Sequence, residues 1–229
     1  MAPVFLVFAI SACLAQSGGT PIESNGVVVL DGTETSVYWD DGDTFKVIET
    51  GASARLDGYN TLESYGAVHR FGPGEDALLE VANAATEMAK SKTWQCTTQP
   101  GSGGYGRIRV TCPDLRQALL AGGLAHVFAV GDSVPETLLE AQSKAIQAQN
   151  GMWKGGAPSG IVTSVHSVDE KPNQTETYNR VVDPTTGQGT KRPHAETHKA
   201  CTWVCQEGSC LLSVPYPQRY GEGRAECLK

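Results

Sequence analysis

A chain of 229 residues with 40% apolar and 7% aromatic side chains carries enough hydrophobic material for a folded core, which excludes an intrinsically disordered protein. Its formal net charge is −7, and residues 1–155 hold ten Lys plus Arg against seventeen Asp plus Glu. That balance excludes a tight nonspecific coat on nucleic acid, which needs a basic face, but not a local arginine pocket that handles one phosphate at a time.

The first fifteen residues contain no charged side chain and include the apolar run Val4-Phe5-Leu6-Val7-Phe8-Ala9-Ile10, too short to anchor in a bilayer and suited to a secretory signal. Two processing routes are open. One is cleavage after Ala15; the other is processing before Cys13, because Ile10-Ser11-Ala12-Cys13 resembles a bacterial lipobox that would make Cys13 a lipid anchor. Either route exports the mature chain, as a secreted, periplasmic or envelope-anchored protein without a transmembrane helix. Six cysteines remain beyond Cys13, an even number that fits disulfides in an oxidising compartment.

After the spacer Ser17-Gly18-Gly19-Thr20, short strands are predicted at Gly26–Leu30, Thr35–Trp39, Thr44–Ile48 and Ala54–Tyr59, each closed by Asp/Gly turn signals. Such a succession predicts a barrel or sandwich. Leu78, Leu79, Ala82, Ala85 and Met88 recur at helical spacing within 75–90, with Pro73 upstream as a start signal. Strands around Trp94–Thr97 and Arg107–Thr111 flank Gly101-Ser102-Gly103-Gly104 as a hairpin. Cys96 and Cys112 lie about equally far from its tip and are predicted to pair across it. Asp114 is placed to cap a second helix over Leu115–Ala121, ended by Gly122-Gly123. Leu138, Leu139, Ala141, Ala145, Ile146 and Ala148 mark a third helix, closed by Gly151.

From Gly155 to Gly160 the chain reads as a linker, opening a polar segment over 156–199 that contains the glycosylation sequon Asn173-Gln174-Thr175. A disulfide-rich module follows over 200–229, where Cys201, Cys205, Cys210 and Cys227 permit three pairings. His194 and His198 precede these cysteines at a spacing that would also suit zinc, with disulfides the stronger reading in an exported chain. Gly101, Gly103 and Gly106 match the glycine spacing of a dinucleotide site, but a strand follows them where a helix is required.

Three short segments between residues 41 and 107 hold the chemistry. Asp41-Gly42-Asp43-Thr44 offers carboxylate oxygens at a tight turn, and calcium takes oxygen ligands. Arg55 sits in an otherwise apolar strand and Arg107 opens another after Tyr105-Gly106; a guanidinium fork engages two phosphate oxygens and keeps its charge at any working pH. Asn60-Thr61-Leu62-Glu63 adds a glutamate able to orient, or take a proton from, an attacking water.

In this order, and followed by Gly123-Leu124-Ala125 and a helix ending near Trp153, these segments resemble the staphylococcal nuclease (thermonuclease) family over roughly residues 27–155. The resemblance implies a mainly β fold, a five-stranded OB-fold barrel with packed helices, here followed by the small cysteine-rich extension. It also implies a monomer that hydrolyses DNA and RNA with calcium, leaving 3′-phosphates. Carried over by position, Asp43, the Thr61 carbonyl and Asn60, which stands where the family has aspartate, would hold Ca2+. Glu63 would act on the attacking water, and Arg55 and Arg107 would bind the scissile phosphate. Leu62 replaces a family proline, and Ser64–Phe71, with His69 and Arg70, is a short version of the family's loop beside the site. His126–Val130 lacks the family's pocket tyrosines, leaving base stacking to Tyr105. The competing expectation is an impaired OB-fold module that binds nucleic acid or a partner without turnover, since Asn60 removes one anionic ligand; a third is a structural envelope lipoprotein.

Overall fold

Alternation of apolar and polar side chains in the N-terminal half drives it into short, half-buried strands. The computed structural model describes residues 22–64, 68–72, 78–167, 176–219 and 221–229; the processing sites at Cys13 and Ala15, the helix signal Pro73 and the sequon at Asn173 lie outside them. Strands β1 (Gly26–Leu30), β2 (Thr33–Trp39), β3 (Thr44–Val47), β4 (Ser53–Leu56), β7 (Trp94–Ser102) and β8 (Ile108–Thr111) close into a barrel in the order β1-β2-β3-β4-β8-β7. The β1/β7 and β4/β8 pairs are parallel and the other pairs antiparallel. Inward-facing Val28, Val37, Trp39, Phe45, Leu56 and Val110 fill the interior.

The barrel has six strands where five were expected. Asp31 and Gly32, with φ of 50° and 82°, make a two-residue turn whose twist suits a tight hairpin, so β1 and β2 count separately. The strand expected over Ala54–Tyr59 is divided at Gly58, whose φ of 85° turns the chain out of the barrel. Beyond that turn β5 (Tyr59–Thr61) pairs with β9 (Ala125–Val127). This departure swings Asn60, Thr61 and Glu63 back toward Arg55.

Helices α1 (Leu79–Lys90), α2 (Pro113–Ala121) and α3 (Glu136–Gln147) cover the barrel through Ala85, Ala89, Leu115, Leu119, Leu138 and Ala141. Cys112, not Asp114, occupies the N-cap of α2; Pro113 takes the first helical position, and Asp114 lies in the first turn, where its charge favours the helix dipole. Gly123, at φ 65°, lies so close to the chain after α3 that a Cβ there would sit 2.2 Å from the Asn150 carbonyl oxygen. The side-chain oxygen of buried Gln142 accepts from the Val127 amide at 2.7 Å while its nitrogen donates to the Pro184 carbonyl at 2.5 Å, tying α3, β9 and the C-terminal half together.

The span 156–199 is not simply a linker. It carries β10 (Ile161–His166), β11 (Tyr178–Val182) and β12 (Gly189–Pro193), which form a three-stranded antiparallel sheet. Its apolar residues come as doublets, Ile161-Val162 and Val181-Val182, because both faces are covered: Ile161 and Val182 pack with Trp153 and Leu62, Val162 and Val181 with Val204 and Leu211. Strands β13 (Thr202–Gln206) and β14 (Ser209–Ser213) form a hairpin whose second strand pairs with β6 (His69–Phe71), so part of the expected loop beside the site is a strand.

Cys96 bonds Cys112, the pairing read from the hairpin, with Cα atoms 4.2 Å apart. Of the three arrangements open at the C-terminus, the chain adopts Cys201–Cys227 and Cys205–Cys210. No thiolate of these four remains for a metal beside His194 and His198. Three disulfides indicate an oxidising, extracellular or periplasmic environment. Among the described residues, no helix is long and apolar enough to cross a membrane. Replacing Cys96 and Cys112 together with alanine is expected to cost about 3 kcal/mol, because the bridge closes a loop with a sequence separation of 16. Urea unfolding of oxidised wild type and variant checks this, and coincident midpoints would overturn it.

Candidate functional site

The turn leading into β3 is built around the side chain of Asp41, which accepts the Asp43 amide at 2.9 Å. Gly42 lies against β5 and α1: a Cβ there would meet the Thr61 Cγ2 at 2.7 Å and the Ala85 Cβ at 3.0 Å. Its carbonyl accepts from the buried Tyr59 hydroxyl at 2.9 Å. Burial and the Asp43 charge keep that phenol protonated, raising its pKa well above the usual value.

Asp43 is 1% exposed, yet both its oxygens are satisfied. Oδ1 accepts from Arg55 Nη1 and from Thr44 Oγ1, the latter at 2.8 Å; Oδ2 accepts from the Thr61 amide at 2.7 Å and from Thr61 Oγ1 at 3.2 Å. Burying a carboxylate to this degree is costly unless its oxygens are paired with donors in this way.

Arg55 faces this carboxylate because β3 and β4 pair Thr44 with Arg55. Nη1 serves Asp43, and Nη2 donates to the Asn60 side-chain oxygen. Burial alone would lower the guanidinium pKa, but Asp43, Asp41 and Glu63 together raise it, so the charge is held. Asn60 uses both ends of its amide: the nitrogen donates to the Thr61 carbonyl oxygen at 2.8 Å. That carbonyl is the one the resemblance assigns to calcium, and an ionised aspartate at position 60 would have no proton to give it.

Arg107 reaches the same region from the β7–β8 hairpin. Its Nε donates to the carbonyl oxygens of Gly103 and Gly104 at 3.2 and 3.3 Å, and its pKa is lowered, first by burial and then by Arg55. Arg55, Glu63 and Arg107 line one cleft of about 460 Å³, with Tyr38, Asp41 and Tyr216 among the other walls. Asp43, Asn60 and Thr61 are not among its lining residues and connect to it through Arg55. Tyr105 is 84% exposed at the hairpin tip, outside the lining, with the Arg107 guanidinium 5.8 Å from its ring centre.

Carboxylates crowd this cleft. Asp41 is pushed well above its ordinary pKa by burial, then by Asp43 and Glu63. Glu63 is raised by burial and by Asp43, with Arg219, Arg55 and Arg107 opposing. The donor set, carboxylate and carbonyl oxygens with surplus negative charge, fits a hard cation such as calcium by type. Among the described residues, however, no three His, Cys, Asp or Glu side chains come together closely enough to hold a metal ion. A cation would therefore draw on Asp41 and Asp43 and on the Thr61 carbonyl, sharing Asp43 with Arg55 and the carbonyl with Asn60.

Two buried histidines lie near this floor: His126, paired in register with Asn60, and His69 on β6. Burial lowers His126 to about 4, and burial with neighbouring His126 lowers His69 to about 3. Neither was singled out by sequence spacing as a partner of the other, since β6 and β9 come together only in the fold. Tyr216 and Arg219 were likewise missed, because the sequence gives no local sign that a turn of the C-terminal module returns to Glu63.

Compared with models of known protein families and with curated proteins, the chain gives no match.

Both histidines bind their protons less readily folded than unfolded, so the unfolded state takes up more protons between the lowered values and 6.5. Stability should therefore fall as pH drops from about 6.5 toward 4, by at most about 1.4 kcal/mol per pH unit for each histidine. Denaturant unfolding across that range checks this. His69→Leu is expected to reduce the slope, and an unchanged slope would show that His69 is not its source.

Proposed function

We propose that this chain is an exported, calcium-dependent nuclease of the staphylococcal nuclease type, an OB-fold enzyme that cleaves phosphodiester bonds of DNA, RNA or both to 3′-phosphate products. The observation that carries the reading is the convergence of Arg55, Glu63 and Arg107, from three separate elements, on one cleft. Two guanidinium groups and a carboxylate of raised pKa are the side chains that phosphoryl displacement by water requires. A monomeric chain, secreted or anchored through Cys13, completes the proposal.

The two arginines have different tasks. Arg55 is committed to Asp43 and Asn60 and so presents a fixed charge at the cleft wall. Among the described residues, Arg107 donates through Nε to backbone carbonyls, which makes its Nη groups the better fork for phosphate oxygens. Glu63, held above the ordinary carboxylate range, is a base poised nearer neutrality. It takes a proton from water as the water oxygen bonds to phosphorus; the P–O5′ bond breaks, and the leaving oxygen gains a proton to become a 5′-hydroxyl. The arginines stabilise charge accumulating on the phosphoryl oxygens. Calcium bound at Asp41, Asp43 and the Thr61 carbonyl would supply Lewis-acid polarisation of the phosphate and orient water.

A second reading rests on Asn60. Its amide occupies the Thr61 carbonyl, and Asp43 is already fully hydrogen-bonded, which favours a binding module of impaired turnover. Calorimetry with single-stranded DNA separates the two: binding indifferent to calcium, without product, supports the module.

In millimolar calcium, wild type is expected to degrade single- or double-stranded DNA, and Glu63→Gln to lower kcat by about a hundredfold or more. DNA and RNA both left intact by both proteins would end the nuclease proposal. Asn60→Asp adds an anionic ligand and withdraws the donor from the Thr61 carbonyl, so calcium affinity should rise. A metal-dependence profile identical to wild type would show that position 60 does not govern the metal site.

A further inference from the structure

One pair of histidines stands outside the cleft lining. His194 follows β12, and His198 lies between that strand and β13. Ala195, Glu196, Thr197 and Lys199 around them are exposed, whereas His194 is partly buried and His198 only 8% exposed. The two rings are thus turned beneath the surface segment that carries them, with centres 5.1 Å apart. Both Nε2 atoms are buried and have no hydrogen-bond partner among the described residues. Two unsatisfied nitrogens side by side are costly in a folded chain and call for a ligand.

The backbone on either side is fixed. The His194 amide donates to the Thr177 carbonyl at 3.2 Å, and the His194 carbonyl accepts the Thr177 hydroxyl. Beyond His198, the Cys201 amide donates to the Ser213 carbonyl at 2.8 Å, and Cys201 is bonded to Cys227. Burial and then the neighbouring His194 lower the His198 pKa, with Glu196 opposing, so this imidazole is neutral near pH 7 and has a lone pair to give.

We propose that His194 and His198 bind a divalent transition ion of the zinc or copper class through their Nε2 atoms, joining the three-stranded sheet to the disulfide-rich module. Neutral imidazole suits these ions while calcium takes oxygen ligands, so this site and the cleft select different cations. Two imidazoles held about 2.0–2.1 Å from one tetrahedral ion have ring centres about 5 Å apart. That is the spacing found here. As the side chains stand, no third His, Cys, Asp or Glu completes the set among the described residues. Glu196 is the residue positioned to do so: its carboxylate lies 4.0 Å from His198 Nε2, and its side chain is 78% exposed, with room to turn inward. One bond must be given up. His194 Nδ1 accepts the Glu196 amide at 3.1 Å, which leaves the ring proton on Nε2. On binding, that proton moves to Nδ1 and the amide turns to solvent, an exchange that releases no net proton and holds the site to moderate affinity.

The test uses the full chain, freed of metal with EDTA and returned to buffer containing millimolar calcium, so that oxygen donors elsewhere meet calcium first. Zn2+ is then titrated by calorimetry, and the histidine ring signals are followed by NMR. One zinc ion is expected per chain, shifting the His194 and His198 rings and leaving those of His69, His126 and His166 in place. His198→Ala should weaken binding about a hundredfold or more, and Glu196→Gln about tenfold. Because Glu196 is exposed, its variant should keep the wild-type thermal midpoint without zinc, while zinc should raise the midpoint of wild type more than that of either variant. Affinity should fall below about pH 6.5, where protons compete for the imidazoles. No zinc binding by wild type at millimolar concentration overturns the proposal, as does binding that His198→Ala leaves unchanged. Zinc that shifts the His69 or His126 ring instead places the ion elsewhere and also overturns it, a readout that needs no variant to fold. None of these measurements involves cleavage, so the proposal stands or falls apart from the nuclease reading.

Discussion

A single buried carboxylate organises the cleft. Asp43 accepts from Arg55, from the Thr44 hydroxyl and from the amide and hydroxyl of Thr61, so its two oxygens bind the turn before β3, the strand β4 and the strand β5 into one unit. Removing one partner of such a pair leaves an uncompensated buried charge, at a cost of about 3–5 kcal/mol. The chain therefore holds Arg55 in one orientation with bonds that exist before any ligand arrives. Gly42 and Tyr59 support the same unit, the first by letting the turn approach β5 and the second by bonding the turn's carbonyl.

Asn60 is best understood through this network. A carboxylate at its position would add charge to a region where Asp41 and Glu63 already hold their protons more tightly than usual. The amide instead serves Arg55 with its oxygen and the Thr61 carbonyl with its nitrogen, satisfying two neighbours without a further anion. Positive charge at Arg55, Arg107 and Arg219 thus meets the carboxylates of Asp41 and Glu63 around one cleft.

The C-terminal half is part of the architecture that forms the site. Ile161 and Val182 join the apolar cluster containing Leu62 and Trp153, and β14 extends onto β6. The segment carrying Glu63 is therefore flanked by the barrel on one side and by the disulfide-bonded hairpin region on the other. Cross-links between Cys201 and Cys227 and between Cys205 and Cys210 compensate for the small apolar clusters in that region.

Local chemistry was legible from residue order. The short strands, the three helices and the Cys96–Cys112 bridge follow from alternation, helical spacing and hairpin symmetry, each a relation between residues near one another in the chain, whereas the barrel's sixth strand was not counted. The gathering of Arg55, Glu63 and Arg107 was implied by resemblance and is found in one cleft. Residue order did not disclose the sheet hidden in 156–199, because apolar doublets covered on both faces lack the alternation that marks a half-exposed strand. Nor did it disclose the uses of Asn60, the neutral pair His69 and His126, or Tyr216 in the cleft. Sequence by itself determined the local elements and the kinds of side chain available, because those depend on short-range backbone and side-chain preferences. Tertiary structure alone decided which partners those side chains found, because burial, charge and hydrogen bonding at Asp43 and around Glu63 arise only when distant strands meet.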